Sequence, residues 1–131
     1  MTEFNFLYKI NGKVKPGSHR GKDLGFPTVN LDYVEEVELG VYASYVLFDN
    51  RLYESISNVG SAITFGQNEL KIETYIFDFA RQIYDQEIVV FLVQKIRDIQ
   101  KFKSTQELVA QIQRDIDLAE KILKTSCLDI F

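Results

Sequence analysis

One cysteine, one histidine, two prolines and no tryptophan occur in 131 residues, and the first two scarcities each narrow the chemistry open to the chain. Cys127 stands alone, so no internal disulfide and no zinc cluster of several thiolates can form. With no evident basic partner it reads as a structural thiol. His19 is the only imidazole, which removes multi-histidine metal sites and argues against a histidine-based nucleophilic triad. Its neighbours Gly17, Arg20 and Gly21 make it an exposed loop residue. Positive charge is also in short supply. Fifteen Lys and Arg against nineteen Asp and Glu leave a net charge of −4, the wrong balance for a general nucleic-acid binder. A small basic pocket for one phosphorylated ligand stays open. The longest apolar run in the middle of the chain, residues 88–93, is too short to cross a bilayer, and "MTEFNFLYKI" lacks the basic start of a signal peptide. A cytoplasmic protein with neither membrane nor nucleic acid as partner is expected.

The remaining composition, 46% hydrophobic and 26% charged, suits one globular domain over residues 1–131. Strand patterns fill the first three quarters. "FNFLYKI" leads into Asn11-Gly12, a dipeptide that predicts a turn. "VYASYVLF" and "RLYESIS" flank Asp49-Asn50 and read as a hairpin. "LKIETYIF" alternates, with Leu70, Ile72, Thr74 and Ile76 on one face and Lys71, Glu73, Tyr75 and Phe77 on the other. "EIVVFLV" is apolar throughout, as a strand covered on both sides would be. The last quarter changes period. Ser104 and Glu107 form a capping-box signature, and Leu108, Ile112, Ile116, Ala119 and Leu123 recur at helical spacing. The pattern predicts a mainly β fold, a barrel with one C-terminal helix over about 105–124 packed on it.

One segment concentrates the conformational punctuation. "GKVKPGSHRGKDLGFPTVN" (12–30) places glycines at 12, 17, 21 and 25 and basic residues at 13, 15, 20 and 22. Glycine lets backbone N–H groups approach an anion, and Lys or Arg adds charge, so a phosphate cradle and a hairpin loop both fit. Thr28 and Asn30 point to one side of an extended segment and could complete the shell of a Mg²⁺ ion held mainly by phosphates and water; they could equally close a turn. The acidic "DYVEEVE" (32–38) reads as a solvated loop or strand edge.

These pieces together resemble the riboflavin kinase (flavokinase) family over nearly the whole chain. The resemblance rests on "GKVKPGSHRGKDLGFPTVN", "GVYA" (40–43), "NVGSAITFG" (58–66), "IETYIFDF" (72–79), "IRDIQKF" (96–102) and the helical "STQELVAQIQRDIDLAEKIL", in family order. It implies a six-stranded antiparallel, Greek-key-like barrel that transfers the ATP γ-phosphoryl group to the ribityl 5′-hydroxyl of riboflavin, giving FMN and ADP. It implies Glu73 as general base, and Thr28 and Asn30 at a Mg²⁺-nucleotide site. Gly17 and Lys22 fall in a flap over the ATP phosphates, and Ile76, Asp78 and Tyr84 line the nucleotide. Arg97, Gln100 and Phe102 match the segment that closes over the flavin. The resemblance extends to bifunctional enzymes, so an N-terminal FMN adenylyltransferase domain is an expected partner in a longer parent chain. Four positions depart from the family pattern: Lys22 stands where arginine is frequent, Ile63 for proline, Asp85 for glycine and Ile99 for an acidic residue. They leave Thr28, Asn30 and Glu73 in place. Ile63, Asp85 and Ile99 also motivate the alternative, a degenerate flavin- or FMN-binding module without catalysis.

Overall fold

Alternating apolar side chains give a strand one face to bury, and six segments of this chain do so together. The computed structural model describes residues 4–15, 28–32, 37–64, 67–79 and 81–128. Its strands are β1 (Tyr8–Lys13), β2 (Val29–Asp32), β3 (Gly40–Phe48), β4 (Arg51–Thr64), β5 (Gln67–Ile76) and β6 (Glu87–Arg97), followed by helix α1 (Thr105–Leu128). All pair antiparallel in the order β1-β6-β3-β4-β5-β2. The two outer strands approach each other just past β1, where the Lys15 amide donates to the Asn30 carbonyl at 2.8 Å. The sheet is thereby a nearly closed barrel, as the strand-then-helix pattern predicts.

Two apolar layers hold it. Ile10, Leu31, Tyr42, Val46, Ile72 and Val90 belong to the cluster inside the barrel. Ala43, Tyr45 and Ile56 face outward and meet Ala119 and Leu123 of α1. The continuous apolar run of β6 follows from this layering: Ile88, Val90 and Leu92 turn inward, while Phe91 and Val93 pack in the layer under the helix. The Tyr45 hydroxyl pins the helix by donating to the Leu123 carbonyl at 2.7 Å.

Local signals explain the ends. Asp49 and Asn50 take φ of 52° and 62°, the left-handed pair that a two-residue hairpin turn requires. Ser104 caps α1, its Oγ accepting from the Glu107 amide at 3.2 Å, and the Glu107 carboxylate accepts from the Lys103 amide at 3.2 Å. The helix continues past the expected end near 124 to Leu128. The turn expected at Asn11-Gly12 is absent: β1 runs through both residues, which pair with Val89 and Ile88. Ladder pairing to β6 outweighs the turn preference. Gly12 instead serves packing, since a Cβ there would stand 3.3 Å from Leu31 Cδ2 of β2.

Candidate functional site

Strand alternation decides which side chains can meet. In β2, Val29 and Leu31 join the interior cluster, so Asn30 takes the opposite, outer face; it is nevertheless only 5% exposed. In β5, Ile72, Thr74 and Ile76 are buried at alternate positions, which puts Glu73 on the outer face too, half-buried. The register then pairs Asn30 directly with Glu73. Glu73 pairs in turn with Asn58 of β4, Asn58 with Val41 of β3, and Val41 with Arg97 of β6. One row of outward side chains therefore crosses the sheet: amide, carboxylate, amide, valine, guanidinium. Direct cross-strand neighbours have Cβ atoms about 5 Å apart, so Asn30 and Glu73 can share a ligand. Glu73 and Arg97 lie three strand spacings apart, about 14 Å along the sheet.

Thr28, two residues before Asn30, is half-buried at the entry to β2. Lys15 bridges to Asn30 through its backbone, and its ammonium pairs with the Asp32 carboxylate. Lys15 and Thr28 thus both lie next to Asn30. Gly17, Lys22 and His19, like 33–36 of the acidic stretch, lie outside the described residues. Behind Glu73 runs a chain of buried hydroxyls. Ser44 bonds Ser55 at 2.7 Å and Ser57 at 2.8 Å, and Ser57 bonds Thr74 at 2.8 Å. These bonds satisfy four polar groups inside the barrel and tie β3, β4 and β5 together at the level of the carboxylate.

At the other end of the row, Asp115 of α1 is 2% exposed and accepts from Arg97 Nε at 3.0 and 3.1 Å and from Nη2 at 2.8 Å. Gln111 Nε2 adds a bond at 2.9 Å. Arg97 Nη1 donates to the Asp98 carbonyl at 3.1 Å, and the guanidinium lies 5.8 Å from the centre of the half-buried Phe102 ring. Gly40 lets the start of β3 pack against the end of β6: with φ of 155°, a Cβ there would fall 2.6 Å from Lys95 Cε and 3.0 Å from the Arg97 carbonyl. Lys95 binds Glu38 at 3.0 Å and Asp98 at 2.7 Å. Hydrogen bonds to Asp98 and Glu38 hold its ammonium well above the usual lysine range, and the same contact lowers Asp98.

The other expected site residues differ in burial. Ile76 is 2% exposed, its side chain in the barrel core. Asp78 is exposed at φ 56°, and Tyr84 is 40% exposed beside Asp85, whose φ is 65°. Gln100 is exposed. The sequence reading did not single out Asp115. Asp115 left a usable signal, an acid within the apolar helical stripe three residues after Ile112 and four before Ala119. A buried acid at such a position needs a cation.

Among the described residues no group of three or more His, Cys, Asp or Glu could hold a metal by itself. Hard oxygen donors at Thr28 and Asn30 do suit Mg²⁺ brought in on phosphates. A family model described as riboflavin kinase matches residues 4–123. A Bacillus subtilis protein named RNA-binding riboflavin kinase RibR is 35% identical over 114 residues, covering 86% of this chain and 50% of its own length. A Listeria monocytogenes bifunctional riboflavin kinase/FMN adenylyltransferase is 36% identical over 114 residues, covering 84% of this chain and 36% of its own. A crystal structure described as a macrolide-efflux protein from Streptococcus pneumoniae superposes with a TM-score of 0.80 at 34% identity, over 86% of this chain and 38% of that one. The chain spans half or less of the length of these proteins.

Proposed function

The chain belongs to the riboflavin kinase family, and from that membership we propose that it phosphorylates riboflavin at the ribityl 5′-hydroxyl, using ATP and giving FMN and ADP. The observation that carries this reading is the β2–β5 register, which sets the Glu73 carboxylate against Asn30 of the "PTVN" stretch. Phosphoryl transfer asks a protein mainly for positioning and for neutralisation of phosphate charge. Thr28 and Asn30 would hold Mg²⁺, which screens the phosphate oxygens when bound. Gly17 and Lys22 are the flap residues proposed to cover the phosphates, and Asp78, Tyr84 and the Ile76 backbone to border the nucleotide. Glu73 accepts the proton of the 5′-hydroxyl as its oxygen bonds to the γ-phosphorus; the bond to the bridging oxygen breaks and its electron pair leaves with ADP. Arg97, Gln100 and Phe102 form the flavin end of the row, far enough from Glu73 for an extended ribityl chain to lie between.

Replacing Glu73 by Gln keeps the side chain's size and removes the base. FMN formation is expected to fall roughly 10²- to 10⁴-fold, with an unchanged circular dichroism spectrum. Near-native turnover would remove Glu73 from the mechanism. Thr28→Ala and Asn30→Ala should each raise the Mg²⁺ concentration needed for half-maximal rate, and unchanged metal dependence in both would sink the metal assignment. The non-catalytic alternative loses support at Asp85, because its positive φ keeps the backbone shape that a glycine would adopt. Separating the flavins after incubation with riboflavin, Mg²⁺ and ATP decides between the two. RNA binding stays with the Bacillus relative's name; a net charge of −4 offers no counterpart to a phosphate backbone.

A further inference from the structure

The guanidinium of Arg97 is engaged within the protein on three of its nitrogens. Nε and Nη2 bind Asp115, Nη1 binds the Asp98 carbonyl, and Cζ lies over the Phe102 ring. The anion that fixes it comes from the helix, not from the barrel, and is 2% exposed. Gln111 binds the same carboxylate from one helical turn earlier, which fixes the direction of its oxygens. A fork-to-carboxylate pair of this kind sets the orientation of the guanidinium plane as well as its position. Segment 98–102 departs directly from Arg97 and is held to it at both ends, by Asp98 and by Phe102.

We infer that Asp115 is a positioning residue for flavin binding: through Arg97 it sets the place of Phe102 and of segment 98–102, and so makes α1 a working part of the flavin site. This rests on the proposed function only in taking the ligand at this end of the row to be the flavin. The nucleotide end lies across the sheet, so the two substrates should respond differently. Loss of an orienting group one contact removed from the ligand costs about tenfold to a hundredfold.

The test measures riboflavin and Mg·ATP separately, together with riboflavin and FMN binding by flavin fluorescence, which needs no turnover. Asp115→Asn is expected to raise the riboflavin KM and Kd at least tenfold while the Mg·ATP KM stays within about twofold. Removing one partner of a buried pair can also unfold a protein, so the second variant is Arg97→Met/Asp115→Leu, an apolar replacement of the kind that keeps stability. Its thermal midpoint should stay close to native while its riboflavin affinity remains weakened. Native riboflavin KM and Kd in that folded variant would reduce the pair to a structural brace and overturn the inference, as would an equal loss for both substrates in Asp115→Asn. A parent chain that binds flavin but forms no FMN refutes the kinase reading alone, and the Kd comparison still judges Asp115. A parent chain that does not bind flavin refutes both.

Discussion

Glu54 and Glu73 stand on neighbouring strands, both half-buried on the outer face of the sheet. Glu54 lies on the outer face of β4 opposite Tyr45, under the C-terminal part of the helix. Burial raises its pKa, with Lys124 opposing and Glu120 and Asp78 adding to the rise. A carboxyl whose folded pKa exceeds its unfolded one is penalised whenever it is ionised in the fold. That penalty is present at neutral pH, and it disappears once the pH falls below the unfolded value of 4.5. Glu54→Gln should therefore raise the thermal midpoint at pH 7, by an amount that shrinks to nothing near pH 4; an equal gain at both pH values would show that charge is not the cause. The alternation of "LKIETYIF" was enough to separate Glu73 from the apolar face, because strand period is written in the sequence. Its neighbour Asn30 was not legible from the residues alone: the pairing depends on register between strands some forty positions apart. Asp115 was hidden for another reason. Its cation lies on a different element, so the helix pattern shows only an anomaly.

The turn between β5 and β6 accommodates one departure from the family pattern. Asp85 sits at φ 65°, where most side chains clash with their own backbone and Asp does so less than most. Its amide also donates to the Val14 carbonyl at 2.9 Å, which anchors the turn beside the base of the 16–27 segment. Asp85→Gly removes the strain but adds chain entropy to the unfolded state, so stability is expected to change by less than about 1 kcal/mol. Asp85→Val should cost about 1–2 kcal/mol, read as a lower denaturant midpoint at constant slope. Equal stability of the Gly and Val variants would contradict the geometry. Elements whose ends carry their own chemistry were readable in this way: the Asp49-Asn50 hairpin and the Ser104 cap both form where the sequence signals them. Asn11-Gly12 carries the same kind of signal and forms no turn, because six consecutive pairs with β6 hold β1 extended.

At the scale of the whole molecule, strand order does what no local pattern predicts. β2 pairs with β5 rather than with β3, which follows it in the chain, and this brings Asn30 to Glu73. The barrel then closes at Lys15 and Asn30. A single row of outward side chains serves both ends of the proposed reaction, and the family match over residues 4–123 is accounted for by this one barrel and its helix. The relatives that also adenylylate FMN are longer; the chain corresponds to 36% of the Listeria enzyme. Adenylyl transfer requires attack on the α-phosphorus with pyrophosphate leaving, a different alignment of ATP from the one that hands over its γ-phosphoryl group. These 131 residues are therefore expected to convert riboflavin to FMN with one ADP formed per FMN, and to stop there. Supplied with FMN and Mg·ATP, they should yield neither FAD nor pyrophosphate in chromatographic and coupled assays. FAD accumulating in proportion to protein would mean that the barrel holds ATP in a second register, and would break the assignment of its phosphates to the Thr28–Asn30 end of the row.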